Sequence, residues 1–318
     1  MANAVITSAT GGLGATGMAT ILTVLADTFL GVKRARGHIL KYCNTDGAGV
    51  GVPHGTVRFM VPPAGTTPND DTDGTSPSYD DTVAASKDVT LSVHKSVKFG
   101  FSQIAQTLDG GRAINPVVGG RMADLFNAVE ADICTLASTF STNTGGTGAT
   151  AVDRTAIALA RTQLVNKNVP AGDPLMALWK PGATAWGALT TLADFNEYRI
   201  RGERPSAYDP GNEFGVVPIY DRGVYHLESQ NVKQATAAEV VTQYNFMFHR
   251  DAILVAMKAP MIPTSPGVEA MNFKDPDSEI EFQILKYWDK DTDAEALKIH
   301  TLYGKALGRE DWGALILS

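Results

Sequence analysis

One stretch decides the fold of this 318-residue chain: Asn115-Pro-Val-Val-Gly-Gly-Arg-Met-Ala-Asp-Leu-Phe-Asn-Ala-Val-Glu-Ala-Asp-Ile-Cys-Thr-Leu-Ala-Ser-Thr-Phe140. Its apolar residues recur every three or four positions, the spacing of an amphipathic helix: Met122, Leu125, Phe126, Val129, Ile133, Leu136, Ala137 and Phe140. The opposite side holds polar residues: Arg121, Asp124, Asn127, Glu130, Asp132 and Ser138. Pro116 suits the first helical turn, where its missing N–H costs nothing. The pattern predicts one helix roughly 35 Å long, far above the average of about 11–12 residues.

A long alternating run precedes this helix. Apolar residues occupy every second position but one: Val89, Leu91, Val93, Val97, Phe99 and Phe101. The intervening positions are mostly polar: Thr90, Ser92, His94, Ser96, Lys98 and Ser102. This period of two predicts one long half-buried strand, or two collinear ones. A long strand that leads into a long helix is typical of an extended molecule rather than of a compact enzyme.

Further elements follow on both sides of this pair. A strand is predicted over 56–61, and a buried strand over 175–179. Asp153 is placed to cap a helix whose buried face is Ile157, Ala160, Leu164 and Val165. Pro181 is expected to open another helix, with Trp186, Leu189, Leu192 and Phe195 on its apolar face.

The last third of the chain is rich in strand patterns. Short strands are expected near 215–220, and a longer one carries Val240, Val241, Tyr244, Phe246 and Phe248. Alternation over 280–287 and again over 296–307, around a polar turn, predicts a hairpin that pairs back with the first part of the chain. A linker is predicted at 141–153 from its Gly and Thr content, and 196–212 is expected to be a charged surface loop at a subunit contact.

The composition narrows the possible functions. The net charge is −7 at pH 7, which argues against a dedicated nucleic-acid binder, because such a protein needs clustered Lys and Arg. The only basic cluster is Lys33, Arg34, Arg36, His38 and Lys41, for which a solvated or interface strip is favoured over phosphate contact. Charged residues make up 19% of the chain, below the usual quarter. Two interpretations stay open: a surface covered by other copies, or a loop-rich protein with a polar, uncharged surface.

Cysteine content and terminal sequence favour a reducing cytoplasm. The two cysteines, Cys43 and Cys134, form no disulfide framework or metal-ligand spacing, and Cys134 is expected to be a buried small hydrophobe. The first residues carry no secretory pattern, and no apolar run reaches membrane-spanning length.

The sharpest enzyme hypothesis rests on Gly11, Gly14 and Gly17, which match a G-x-x-G-x-x-G phosphate-binding turn. An NADP-dependent oxidoreductase would use it, with Arg34 and Arg36 at a 2′-phosphate. The preceding strand would be very short, however, and no βαβ alternation or Tyr-x-x-x-Lys pair follows. A flexible N-terminal arm is the favoured interpretation.

Other possible functional motifs also lack some of the residues that they require. The aspartates at 70, 71, 73, 80 and 81 lie in a long turn-rich segment without EF-hand order, which predicts a solvated acidic loop rather than a calcium site. The His249-Arg-Asp251 triplet lacks the rest of a kinase signature. No paired-histidine metal motif, G-x-S-x-G or P-loop is present. The sequence therefore predicts no enzyme, and no catalytic, cofactor-binding or metal-binding residue.

The order of these parts resembles the major capsid proteins of tailed bacteriophages, with the Hong Kong 97-type fold. The segments that carry the resemblance are 88–101, 115–132, 168–170 with 178–185, 214–220, 248–253 and 302–307. The first is similar to the strand that returns from that family's extended loop, and the second to its long spine helix. Each segment is weakly specific; their order along nearly the whole chain makes the resemblance.

The resemblance implies an α+β fold with four parts. Residues 1–48 would form an N-terminal arm and 49–88 an extended β-hairpin loop. A peripheral domain with the spine helix would combine 89–145 with 237–318, and 146–236 would form the axial domain.

The function implied is that of a coat protein whose pentamers and hexamers form an icosahedral shell around double-stranded phage DNA. The implied partners are other copies, a separate scaffolding protein, a portal, a possible decoration protein, and DNA enclosed without sequence-specific contacts; no membrane is expected. Assembly would occur in the host cytoplasm and the product would be the virion capsid. Residues 50–86 contain no lysine, so no lysine cross-link is expected from the loop tip. An encapsulin-like protein compartment is the main alternative, and the oxidoreductase a remote one.

Overall fold

The computed structural model describes residues 39–52, 55–61, 85–102, 114–140, 142–143, 150–170, 172–191, 219–221, 223–237, 240–263, 267–274, 281–291 and 294–318. Its α-helices are α1 (Ile114–Cys134), α2 (Arg154–Asn166) and α3 (Trp186–Thr191). Short 3₁₀ turns cover Leu40–Tyr42, Thr135–Thr139, Arg250–Ala252 and Glu310–Trp312. The first seven strands are β1 (Ala48–Val52), β2 (Thr56–Val61), β3 (Ala85–Thr90), β4 (Val93–Ser102), β5 (Thr142–Asn143), β6 (Leu175–Trp179) and β7 (Ile219–Asp221). The others are β8 (Val224–Glu228), β9 (Gln234–Ala237), β10 (Val240–Phe248), β11 (Ile253–Lys258), β12 (Val268–Lys274), β13 (Glu281–Asp289), β14 (Ala294–Leu307) and β15 (Gly313–Leu317).

Helix α1 is shorter than predicted, because the α-helix ends at Cys134 and a 3₁₀ segment carries the chain to Phe140. The hydroxyls of Thr135, Ser138 and Thr139 each donate to the carbonyl three residues earlier, which accompanies the tighter winding. The predicted apolar face is confirmed from Leu125 onward: Leu125, Phe126, Val129, Ile133, Ala137 and Phe140 are buried, and Leu136 is half-buried. The side chain of Met122, also predicted on this face, lies outside the described part of the structure.

The predicted late hairpin is confirmed and lies at the centre of a five-stranded antiparallel sheet. Strands β13 and β14 pair from Gln283 opposite His300 to Asp289 opposite Ala294. Strand β12 pairs with the outer side of β13. The long β14 pairs on one side with β13 over 294–300 and then with β11 over 302–307, and on its other side with β4 over 294–303. The hairpin therefore returns to the first part of the chain through ten residue pairs between β14 and β4.

The alternating run before α1 forms two strands that belong to different sheets. Strand β3 pairs with β2, and β2 with β1, in a separate three-stranded sheet. Strand β4 begins after a break at Leu91 and Ser92 and pairs with β14. The two-strand form of the prediction is confirmed, as is the strand predicted over 56–61. The small sheet lies against β11 and β14 through Phe59, Val61 and Val89, which pack on Leu254 and Ala256.

The largest sheet has the strand order β5-β15-β10-β6-β8-β7, with β9 paired to β10. Strand β6 is fully buried, as predicted. In β10, Phe246 and Phe248 pack on the α1 side with Val129 and Ile133. Met247 points to the other side, where it packs with α2. The sheet is therefore covered by α1 on one face and α2 on the other, and it combines strands from the ranges expected to form the peripheral and axial domains.

Helix α2 begins as predicted, because the Asp153 carboxylate accepts a hydrogen bond from the Ala156 amide at 2.8 Å. Ile157, Ala160 and Leu164 are buried, but Val165 is 54% exposed, so its predicted burial is wrong. Helix α3 begins at Trp186 and not at Pro181, because residues 181–185 form turns. Leu192 and Phe195 lie outside the described residues.

Candidate functional site

Most segments for which a possible function was considered from the sequence lie outside the described residues. These are the glycines Gly11, Gly14 and Gly17, the basic residues Lys33, Arg34, Arg36 and His38, the aspartates at 70–81, and the charged loop 196–212. Lys41, the last member of the basic cluster, is described and is exposed on the first 3₁₀ turn. The polar groups that the fold does bring together lie around α1 and the five-stranded sheet.

Glu130 is the first of these groups, and its predicted place on the polar side of α1 is wrong. It is fully buried. Its Oε1 accepts from the Ile39 amide at 3.3 Å and from Ser229 Oγ at 3.4 Å, and its Oε2 accepts from Asn231 Nδ2 at 2.7 Å. A signal for this burial existed in the sequence, because Glu130 lies four residues after Phe126, on the apolar face.

The two buried thiols beside Glu130 are held in the neutral form. Burial, reinforced by the Glu130 carboxylate, raises the pKa of Cys43, and the same two causes raise that of Cys134 well above the ordinary value. A thiol that stays protonated is a poor nucleophile and a poor metal ligand. The prediction that Cys134 is a small buried hydrophobe is confirmed.

Asp132 connects the end of α1 to β14. Its carboxylate accepts hydrogen bonds from Tyr303 Oη at 2.8 Å and from Lys305 Nζ at 2.7 Å. Partial burial alone would raise the pKa of Asp132, but the hydrogen bonds from Lys305 and Tyr303 outweigh it and lower this pKa. Burial and the bond to Asp132 raise the pKa of Tyr303. The contact holds the end of α1 against β14 and is structural.

A chain of side chains crosses the five-stranded sheet. Gln283 donates from Nε2 to the Pro260 carbonyl at 2.9 Å, so its Oε1 must accept from His300 Nε2, 2.9 Å away. The other ring nitrogen of His300 therefore accepts from His94 Nε2 at 2.9 Å. Burial, assisted by Lys298 and His94, lowers the pKa of His300 to about 4, so the ring is neutral at pH 7.

His249 comes closest to a catalytic arrangement. Its ring is buried, with Nε2 3.2 Å from Asp173 Oδ2. Its Nδ1 accepts from the Asp251 amide at 3.2 Å, which caps the 3₁₀ turn that follows. Both ring nitrogens are thus engaged in local contacts, and the edge of the ring meets Trp312. In this fold His249 caps the 3₁₀ turn, and Arg250 and Asp251 are the first two residues of that turn.

His226 is also held without a proton-transfer role at neutral pH. The ring stacks on Trp179, whose Nε1 donates to His226 Nδ1 at 3.0 Å. Burial lowers the pKa of His226 to about 3. Among the described residues, no three His, Cys, Asp or Glu side chains lie close enough together to hold a metal ion. Within the same segments, no helix is long and apolar enough to cross a membrane.

Exposed apolar side chains say more about function than the buried polar groups do. Several large apolar side chains are exposed, on five different segments of the described chain: Met60, Leu159, Val165, Val240, Val241, Met261, Ile262 and Trp288. Met261, between Pro260 and Pro263, is 93% exposed. The buried face predicted for α2 left out Leu159 but wrongly included Val165. Exposed apolar groups of this kind are suited to contacts with other protein surfaces.

The comparisons with known proteins give a fold and no sequence family. No protein-family model matches the chain, and no curated protein matches it. The capsid of Ralstonia phage GP4 superposes with a TM-score of 0.52 at 9% identity, over 89% of this chain and 91% of that chain. A structure from Mycobacterium phage Che8 gives 0.49 at 15% identity, over 86% and 88%. A virus-like particle from Pyrococcus furiosus gives 0.47 at 11% identity, over 93% and 99%.

The match to the GP4 capsid shows that this chain has a phage-capsid fold, with mixed helices and sheets. The α+β fold expected from the sequence is therefore confirmed. The division into arm, extended loop, peripheral domain and axial domain stays a prediction.

Proposed function

We propose that this chain is the coat protein of a phage, and that its copies assemble into pentamers and hexamers of an icosahedral shell. The observation that carries the proposal is the fold that it shares with the Ralstonia phage GP4 capsid over 89% of its length. Apolar side chains exposed on separate elements, such as Met60, Val165 and Met261, support it, because assembly would cover them. The role would be structural rather than enzymatic.

In this proposal, the shell is built from contacts that run head to tail between copies, because such contacts close into rings. The arm (1–48) and the loop (49–88) would lie across neighbouring copies. The axial domain (146–236) would sit at the ring centres, and the peripheral domain (89–145 with 237–318) would lie further out. Weak contacts repeated around a closed shell give a stability that no single interface has.

The proposed contents are double-stranded DNA held without sequence-specific contacts, which fits the acidic net charge of −7. A scaffolding protein, a portal and a decoration protein are proposed partners. Assembly would take place in the host cytoplasm, and the finished protein would reside in the virion. No lysine cross-link is expected from the loop tip, because 50–86 contains no lysine.

The test is sedimentation of the purified recombinant chain through a density gradient, with negative-stain imaging of the fast fraction. Closed shells, or rings of five and six copies, are the expected result. A chain that stays monomeric or dimeric at high concentration, even with a scaffolding protein co-expressed, would overturn the proposal.

The contents of the particles decide between a capsid and a protein compartment. Nuclease-protected DNA in particles from infected cells is expected. A packaged enzyme in place of DNA would favour an encapsulin-like compartment. Saturable NADPH binding by the monomer would instead support an oxidoreductase that uses Gly11, Gly14 and Gly17.

A further inference from the structure

The outer face of α2 is unusual for a helix that meets solvent. Its inner face packs on the largest sheet through Ala156, Ile157, Ala160 and Leu164. Its outer face is formed by six exposed residues, none of them charged: Thr155, Ala158, Leu159, Thr162, Val165 and Asn166. Leu159 and Val165 are 47% and 54% exposed. The solvent face of an amphipathic helix normally carries charged side chains.

The residue types on this face do not help α2 to form. Thr155, Thr162 and Val165 are β-branched, and such residues lose side-chain freedom in a helix. Their exposure means that they recover little by packing inside the subunit. A Glu, Lys or Ala at these positions would favour the helix more. Folding of the single subunit therefore does not explain the composition of this face.

The charges around the face identify the kind of surface that would cover it. Arg154 and Arg161 border it along the side of Val165. Lys167, at the end of the helix, is already paired with Asp311 at 4.0 Å. After the Asp153 cap, the residues from Arg154 to Asn166 include two arginines and no acidic residue, in a chain whose net charge is −7. The rest of the chain is therefore more acidic than the whole. The arginines at the border of the outer face are therefore opposite in charge to the chain as a whole, which favours an acidic surface of a second copy as the partner.

This complementarity also decides the type of contact. Two copies that met α2 against α2 would bring like-charged arginines together, which is unfavourable. A contact between α2 and a different, acidic surface of the next copy pairs opposite charges. Such a contact is heterologous, and heterologous contacts form rings when the rotation between neighbours closes.

The size of the face agrees with a repeated contact. Thirteen helical residues span about 20 Å. One face of such a helix covers much less than the roughly 800 Å² per partner of a stable one-to-one complex. A small contact is sufficient only when it recurs around a closed ring, where each copy is held on two sides.

We propose that the outer face of α2, from Thr155 to Asn166, is a contact surface that docks on an acidic surface of the next copy in the ring. The inference rests on the proposed coat function and assigns it a specific surface. It requires that changes on this face weaken assembly without weakening the fold of the subunit.

Thr162→Glu, at the centre of the face, is the main test. Glu is a better helix former than Thr, so the melting temperature of the unassembled subunit should stay equal or rise. The added negative charge should raise the protein concentration needed for half-maximal assembly by about tenfold or more. Thr139→Glu is the matched control, since Thr139 is another exposed threonine whose hydroxyl, like that of Thr162, donates to a backbone carbonyl of the preceding turn. Leu159→Ala should give a smaller loss of assembly, and Arg161→Glu a loss that Arg161→Lys does not give.

The outcomes separate the two proposals. If the wild-type chain forms shells and Thr162→Glu forms them equally well, the inference is wrong and the coat function stands. The inference is also wrong if Thr139→Glu weakens assembly as much as Thr162→Glu, or if the substitutions leave shells intact but remove a different bound protein. If the wild-type chain forms no shell under any condition, both proposals are overturned.

Discussion

Two regions of the molecule differ in how far their polar groups are buried: the region beneath α1, and the hairpin formed by β2 and β3. Beneath α1, the fully buried Glu130 receives hydrogen bonds from residues about a hundred positions away along the chain. On the hairpin, Arg58 and Asp88 form an ion pair that is about half exposed. A buried polar group that loses its partner stays unpaired, which is costly. An exposed polar group that loses its partner forms a hydrogen bond with water instead. The first region should therefore respond strongly to single polar substitutions, and the second chiefly to changes in packing.

The largest effect is expected from Glu130→Ala. It leaves the buried Ile39 amide without its acceptor, at about 1–3 kcal/mol, and removes one of the two acceptors of the Asn231 side chain, the other being Asn127 Oδ1. Urea denaturation should show a loss of about 2–5 kcal/mol in the free energy of unfolding. Asp124→Ala, at an exposed position of the same helix, should stay within about 0.5 kcal/mol of the wild type. Equal losses for the two variants would contradict the contrast between regions.

The next largest loss of stability is expected where the hairpin of β2 and β3 packs on β14. A Cβ on Gly304 would lie 2.1 Å from the Thr90 carbonyl oxygen, so Gly304→Ala must push β3 away from β14. The expected loss is about 1–3 kcal/mol. Gly120→Ala is the control of opposite sign, because nothing lies within 4 Å of its Cβ and Ala favours the helix by about 0.5–1 kcal/mol. Thermal denaturation of the two variants should move in opposite directions; a stabilised Gly304→Ala would show that the hairpin does not need this close contact.

A pH-dependent effect is expected from His300. Its pKa in the folded chain is about 4, below the ordinary 6.5, so protonation favours unfolding. Its contribution to stability is complete above pH 6.5 and is lost as the pH falls from there to about 4. His300→Gln keeps hydrogen-bonding groups in place and should remove about 2 kcal/mol or less of that pH dependence. Unfolding free energies at pH 7 and pH 4 measure it; an unchanged slope would exclude His300 as its source.

The smallest effect on stability is expected from the exposed ion pair on the hairpin of β2 and β3. A double-mutant cycle with Arg58→Ala and Asp88→Ala should give a weak coupling energy, because both side chains are about half exposed. The coupling should disappear near 1 M salt, where exposed charges are screened. A coupling that persists at high salt would mean that the pair is shielded from solvent, and the comparison would need revision.

Periodicity predicted the elements well where one face of the element is buried. The apolar face of α1, the buried β6 and the hairpin of β13 and β14 all follow from spacing, because helices and strands repeat their faces at fixed intervals. The cap of α2 at Asp153 followed from residue type alone. Predictions failed where residue type and spacing disagreed: Glu130 lies inside in spite of its charge, and Val165 lies outside in spite of its apolar side chain.

Periodicity could not predict which side chains from distant parts of the chain contact each other. His94, Gln283 and His300 come from three strands, and their contact depends on the register in which those strands pair. Nothing local in the sequence specifies that register, since the side chains involved are separated by up to 206 positions. The separation of β3 and β4 into two sheets has the same origin, because it depends on which distant strands each one meets.

By itself, the sequence determined the long amphipathic helix, the strand-rich late segment and the order of parts that resembles a phage coat protein. These properties are periodic or local, so they can be read from neighbouring residues. The tertiary structure alone decided which polar groups are buried, which strands share a sheet, and that the uncharged face of α2 is turned to the outside. Those properties depend on long-range pairing, in which each residue is placed by partners far away in the chain.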